Sequence, residues 1–312
     1  MSEAPLDHIS GRFALPVMRS VMTVPVIVER FVEKAPSSGA DVLCLDLEDS
    51  VPPDEKLAAR PLARRAIETY AGRSPSPDKC ASFQIYTRVN GFWSGLIEGD
   101  LEAIVYPGLD GVVVSKAESA DMIREIDLHL SRLENERGIE HGAIAIMPLI
   151  ETARGVAKSY EICEASPRLT GAIFGAEDYA TDMGVERTTD GAEILFARTQ
   201  VAIACRAAGI EAIDTPDPDY TDADHLRREM RLAKSLGYRG KLCIHPLQVQ
   251  IANEIFRPAE AEVAEARLIV EAFERDGLAR GRAAIPLGGK MVDTPIYWRA
   301  KRLLEAADGA DR

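Results

Sequence analysis

The chain has 312 residues, 46% of them hydrophobic and 28% charged, and 37 Lys and Arg against 50 Asp and Glu give a formal net charge of −13. This is the composition of a globular protein with room for one large domain or two smaller ones. The acidic balance excludes a broad basic face for nucleic acid or an anionic membrane surface, and no apolar run approaches the length of a membrane span.

In chain order, the opening MSEAPLDHISGRFALPVMRS lacks a cationic segment followed by an apolar one, so no signal peptide is expected. Short runs rich in Val, Ile and Leu predict eight strands, at 20–24, 41–47, 83–89, 111–115, 143–150, 171–175, 210–214 and 241–244. Residues 71–82, AGRSPSPDKCAS, read as a polar loop. Helical patterns separate most of the strands. Met122, Ile126, Leu130 and Leu133 share one helix face. Residues 194–208 and 222–236 predict two more helices, with Gly209 and Gly237 as C-caps.

Repeated strand–helix alternation predicts an α/β fold, a (β/α)8 TIM barrel, over residues 1–250. Beyond Pro246 the pattern changes. A helix is expected over 258–276, with Glu260, Glu262 and Glu265 near its dipole-positive start. A Gly-rich turn in AIPLGGKMVDTP and a last helix over 296–306 follow. Residues 251–312 therefore read as a C-terminal extension that the barrel does not need for closure. Cys44, Cys80, Cys163, Cys205 and Cys243 are scattered and form no CxxC pair. They are expected to be small buried thiols of a reducing cytoplasm.

Polar groups follow nearly every predicted strand: Glu48 and Asp49, Arg88 and Asn90, Lys116, Glu151, Glu177 and Asp178, Asp214, and His245. In a barrel these positions face the catalytic end. The central pair is Glu151 in IMPLIET and Asp178 in FGAEDYA. Two carboxylates meeting there suit a hard divalent cation, which takes oxygen ligands and leaves positions for water and substrate. Bland readings compete with each assignment. A carboxylate after a strand is often a helix cap or dipole partner. Glu48 and Asp49 either orient metal waters or cap the PPDEK helix. His245 and Asp214 read as structural, Lys116 is open to a Schiff-base role, and Phe92 and Trp93 either line the pocket or pack their loop.

The ordered segments RSVMTVP, GADVLCLDLEDSVPPDEKLAAR, TRVNG, SKAESA, PLIETARG, FGAEDYATDMG, YRGKLCIHPLQV and GGKMVDTP resemble the citrate lyase β-subunit-like members of the HpcH/HpaI aldolase family, which include malyl-CoA, β-methylmalyl-CoA and citramalyl-CoA lyases. Two segments depart from the family pattern: VPVIVERF replaces a VPADNPR-like stretch, and Ser115 replaces the proline before Lys116. The resemblance implies a TIM barrel with a C-terminal extension, in homotrimers or hexamers, without nucleic-acid or membrane partners. It implies Mg2+ held by Glu151 and Asp178. Arg88 would bind a substrate carboxylate or carbonyl, and backbone amides around Gly175, Ala176 and Asp178 the α-carboxylate. Arg19 and Lys116 would face CoA phosphates or the active site. Asp293 would be the catalytic aspartate, supplied to an adjacent subunit. The implied reaction splits or forms the C–C bond of a 3-hydroxyacyl-CoA, with a 2-oxo acid and an acyl-CoA as the other side. Three alternatives stay open: a malyl-CoA thioesterase, a class II aldolase on 2-oxo-3-deoxy acids, and a non-catalytic subunit that binds an acyl carrier.

Overall fold

The computed structural model describes residues 17–72 and 83–310. Cys80 and most of the predicted loop at 71–82 lie outside these residues, as does most of the opening segment. The chain divides into two compact units, Met1–Glu254 and Ile255–Arg312.

The first unit is a closed barrel of eight parallel strands in sequential order: β1 (Ser20–Pro25), β2 (Val42–Asp46), β3 (Gln84–Val89), β4 (Gly111–Val114), β5 (Ala145–Ile150), β6 (Gly171–Phe174), β7 (Glu211–Asp214) and β8 (Gly240–Cys243). All eight predicted strands are present. The strand residues are almost all buried, as expected where side chains fill the barrel on one face and meet helices on the other. Val21, Val42, Cys44, Tyr86, Val113, Met147, Leu149, Ile173, Ile213 and Leu242 form one packed cluster.

The helices follow their sequence signals. Helix Ala120–Arg137 is capped by the Ser119 side chain and buries Ile126, Leu130 and Leu133, with Ile123 rather than Met122 completing the face. Helix Ala192–Ala208 ends at Gly209 (φ 74°), and helix Ala223–Leu236 at Gly237 (φ 107°). Cys44, Cys163, Cys205 and Cys243 are buried and not disulfide-bonded. Among the described residues no helix is long and apolar enough to cross a membrane.

Strand register also sets the buried ion pairs. Asp214 and Lys241 are neighbours across β7 and β8. Lys241 Nζ lies 3.0 Å from Asp214 Oδ2, and Arg198 grips the same carboxylate through Nε and Nη2, each at 2.8 Å. Asp214 is fully buried, as a structural role requires. Burial opposes its ionisation, but Lys241 and Arg198 outweigh burial and hold the carboxyl below its ordinary 3.8.

The second unit contains helix Glu260–Asp276, a hairpin of β9 (Ala284–Leu287) and β10 (Lys290–Asp293), and helix Thr294–Ala310. Its core stacks Phe273 on Tyr297 at 5.0 Å between ring centres, beside Ile285 and Val292. The Gly-rich turn of the sequence is thus a two-residue hairpin loop, Gly288 (φ 55°) and Gly289 (φ 79°). Both glycines occupy the left-handed region that a type I′ turn demands.

Replacing Asp214 by Asn leaves buried Lys241 without a carboxylate and Arg198 with Glu229 alone, and should lower stability by about 3–5 kcal/mol at neutral pH. Urea unfolding measures this. A carboxyl whose folded pKa is depressed contributes stability while ionised and loses it as pH falls through that folded value. The difference between variant and parent should therefore shrink below pH 3.8, the ordinary value.

Candidate functional site

The ends of β2 to β6 bring together Asp46, Glu48, Asp49, Arg88, Lys116, Glu151 and Asp178. Asp46 and Arg88 are register neighbours on the last rung between β2 and β3. Arg88 therefore meets Asp46 through two parallel bonds, Nε to Oδ1 and Nη2 to Oδ2, each 2.7 Å. Its Nη1 donates to Asp49 Oδ2 at 3.0 Å and lies 3.1 Å from Glu48 Oε2. That last contact is an ion pair without hydrogen-bond alignment, because Glu48 Oε2 is buried and accepts no hydrogen bond. Three of the five guanidinium N–H groups are thus engaged in hydrogen bonds.

Lys116 follows β4 and is the one described non-glycine residue with positive φ, at 49°. In this conformation its backbone N–H donates to Glu151 Oε1 at 2.9 Å. Its ammonium sits 2.9 Å from Asp178 Oδ1 and 4.0 Å from Glu48 Oε1. One residue therefore links the carboxylates of β5 and β6. Partial burial disfavours the charged amine, but the bond to Asp178 and the charges of Asp178, Glu151 and Glu48 outweigh it and raise the Lys116 pKa. A Schiff-base lysine must instead be readily neutral, so this environment opposes that role.

Glu151 is buried directly after β5. It does not cap the following helix; Thr152 does, accepting from the Gly155 amide. Burial first, then the charges of Asp178 and Glu48, push the Glu151 carboxyl up to about 8. Burial, with Asp49 and Asp46 adding repulsion, similarly pushes Glu48 up to about 7 against the pull of Arg88. Glu48 does not cap the next helix either, since its carboxylate faces Arg88 and Lys116. Five carboxyls thus surround the cations of Arg88 and Lys116, and a further positive charge at Glu151 and Asp178 would relieve the imbalance. The donors are all oxygens, and among the described residues no group of three or more His, Cys, Asp or Glu is arranged to hold a metal. A hard cation that keeps water and substrate in its remaining positions fits such a two-carboxylate set.

The glycine before Asp178's helix is required by Glu151. A Cβ at Gly175 would lie 2.6 Å from Glu151 Cβ and 2.7 Å from its Oε2. The amides of Gly175 and Ala176, expected to hold substrate, are engaged within the barrel. Gly175 donates to the Ile150 carbonyl at 3.0 Å, and Ala176 to Thr215 Oγ1 at 2.9 Å. In the first turn of helix Ala176–Met183, the amides of Glu177 and Asp178 are left as donors without an intrahelical acceptor.

Arg19 is not part of this cluster. It precedes β1, at the end of the barrel where strands begin, and binds Asp41 through Nε at 2.9 Å and Nη2 at 2.7 Å. Its expected contact with CoA or the active site is therefore corrected to a pairing at the opposite rim. His245 Nδ1 accepts the Leu247 amide at 3.2 Å, and its ring stacks on Tyr220 at 4.6 Å between ring centres. In the second unit, Asp293 ends β10, and its Oδ1 accepts the Ile296 amide at 3.2 Å, capping the last helix. Asp46 was missed as a site residue because LCLD reads as plain strand. Its place opposite Arg88 depends on register, which periodicity does not reveal.

Residues 19–246 match the family model described as HpcH/HpaI aldolase/citrate lyase. The chain belongs to that family. It is 36% identical over 290 residues to a citrate lyase subunit beta of Leuconostoc mesenteroides subsp. cremoris, covering 93% of each chain. It is 33% identical over 297 residues to an L-malyl-CoA/beta-methylmalyl-CoA lyase of Cereibacter sphaeroides, covering 88% of this chain and 90% of the relative. The structure superposes on protein CitE of Mycobacterium tuberculosis, solved in complex with magnesium, acetoacetate and coenzyme A, with TM-score 0.73 and 29% identity over 95% of this chain and 100% of that one. As a member of the citrate lyase family, the chain is a carbon–carbon lyase.

Gly175→Ala should push Glu151 out of place while keeping the barrel folded. A displacement of about 1 Å at such a site commonly lowers turnover about 100-fold. A matched thermal unfolding curve with unchanged activity would contradict this account of the glycine.

Proposed function

We propose that this lyase is Mg2+-dependent and splits or forms the C–C bond of a 3-hydroxyacyl-CoA of the malyl-CoA or citramalyl-CoA type, with a 2-oxo acid and an acyl-CoA as the other side. The observation that carries this reading is buried Glu151 facing Asp178 and Glu48, an oxygen-donor site with more negative charge than its own cations balance. Magnesium in the Mycobacterium tuberculosis relative supports it. Bound between Glu151 and Asp178, Mg2+ would stabilise negative charge on the oxygen that becomes the ketone.

The chain's own groups account for the remaining work. The amides of Glu177 and Asp178 receive the oxo acid's carboxylate at a helix N-terminus, where the dipole favours an anion. The Arg88 guanidinium binds a carboxylate or alkoxide oxygen. In cleavage, the hydroxyl gives its proton to the Asp293 carboxylate of a neighbouring copy, the C2–C3 bond breaks, and its electron pair passes into the thioester as an enolate. Asp293 of a neighbouring copy returns a proton to the enolate carbon; in condensation it removes that proton. Asp46 keeps Arg88 aimed, and Glu48 and Asp49 act from behind the metal through Arg88 and water.

Purified protein incubated with Mg2+ and a panel of CoA thioesters should yield paired masses of a 2-oxo acid and an acyl-CoA. Free hydroxy acid and CoA alone would mean a thioesterase, and turnover without any thioester would mean an aldolase. Glu151→Gln should abolish Mg2+ binding by calorimetry.

Asp293→Asn should lose at least about 100-fold in rate, in the range of a general acid–base group. The unfolding temperature should stay unchanged, since Asn caps a helix as well as Asp. Co-expression of Asp293→Asn with Glu151→Gln should restore about a quarter of parental activity, the statistical share of sites with both groups intact across a heterologous interface. No recovery would place both residues in one copy.

A further inference from the structure

We propose that Lys116 is a built-in counter-cation of the Glu151–Asp178 pair, displaced from Asp178 by a divalent cation and then held by the face of Trp93. The proposal rests on the metal reading above and adds a residue that controls the strength and selectivity of metal binding. Asp178 Oδ1, a carboxylate oxygen assigned to the metal, is bonded by the Lys116 ammonium at 2.9 Å. A hard cation demands that lone pair and brings two positive charges to within coordination distance of Glu151 and Asp178. An ammonium within hydrogen-bond distance of the same oxygens would be strongly repelled.

The geometry provides both a fixed end and a second partner. The Lys116 backbone is pinned at positive φ, with its N–H on Glu151 Oε1. Only the side chain needs to move. Its Nζ already lies 4.9 Å from the centre of the Trp93 ring. That ring is 60% exposed, yet its place is set: it lies so close against Gly91 that a Cβ there would meet it at 1.6 Å. An indole face is the best aromatic surface for an ammonium. Lys116 thus touches Asp178 and Trp93 at once, and loss of the Asp178 oxygen to a metal leaves the indole face as the partner that retains it. Released from Asp178, it presents its cation at the rim for an anionic substrate, so metal binding would precede and favour substrate binding.

The test uses the full-length protein. Calorimetric titration with Mg2+ should show two- to fivefold tighter binding to Lys116→Met than to the parent, the range expected from removing a partly exposed ion pair. Tryptophan emission should change on adding Mg2+ to the parent and stay constant in both Lys116→Met and Trp93→Phe, where Trp298 remains as an indifferent background. Equal or weaker Mg2+ binding by Lys116→Met would overturn the exchange, as would a metal-dependent emission change that survives that substitution. If Glu151→Gln also loses Mg2+, only the exchange fails. If Glu151→Gln binds Mg2+ like the parent, the metal reading and the exchange fall together.

Discussion

Parallel strands pair in a fixed register, and closure of the eight-membered ring leaves no strand free to slip. One step along β2 or β3 would separate Asp46 from Arg88 and turn the side chains of the shifted strand to the opposite face. The same constraint puts Lys241 against Asp214 and brings Ile150 level with Phe174, so that Glu151 meets Gly175. The apolar interior enforces that register, because Val42, Cys44, Met147 and Leu149 pack the barrel only in this phase. The chemistry at one rim is therefore a consequence of packing several ångströms below it.

What the register assembles is poorly balanced in charge. Glu151 and Glu48 are buried without a dedicated cation each, a costly arrangement that folding alone would not select. Elsewhere the chain matches its buried charges closely. Arg168 satisfies Glu134 and Asp127, and Arg198 with Lys241 satisfies Asp214. Negative charge left in excess at the β5 and β6 ends is what the cation proposed above would balance.

Much of this was legible in the sequence. Strands buried on both faces announce themselves as short Val- and Ile-rich runs, and glycine C-caps at 209 and 237 close their helices. The strand-end positions of Arg88, Lys116, Glu151 and Asp178 followed directly. Illegible were the features that depend on three-dimensional pairing. Asp46 hid inside a strand, Arg19 looked like a site residue although it lies on the wrong rim, and the Gly175 and Ala176 amides were already committed to Ile150 and Thr215. The turn at Gly288–Gly289 was visible, but its flanking strands are only four residues each and carry no clear alternation.

That small hairpin governs more than its size implies. Two consecutive left-handed glycines fix its loop at two residues, and the ladder then runs without a gap to the Ala284–Asp293 pair, where the last helix begins. Asp293 is at once the final rung and the helix cap. Insertion of a single amino acid between the glycines and that rung would rotate the carboxylate by half a turn, detach it from the Ile296 amide and send the terminal helix off along another axis. Natural drift in this part of the chain should therefore appear as exchanges of side chains and hardly ever as changes in length.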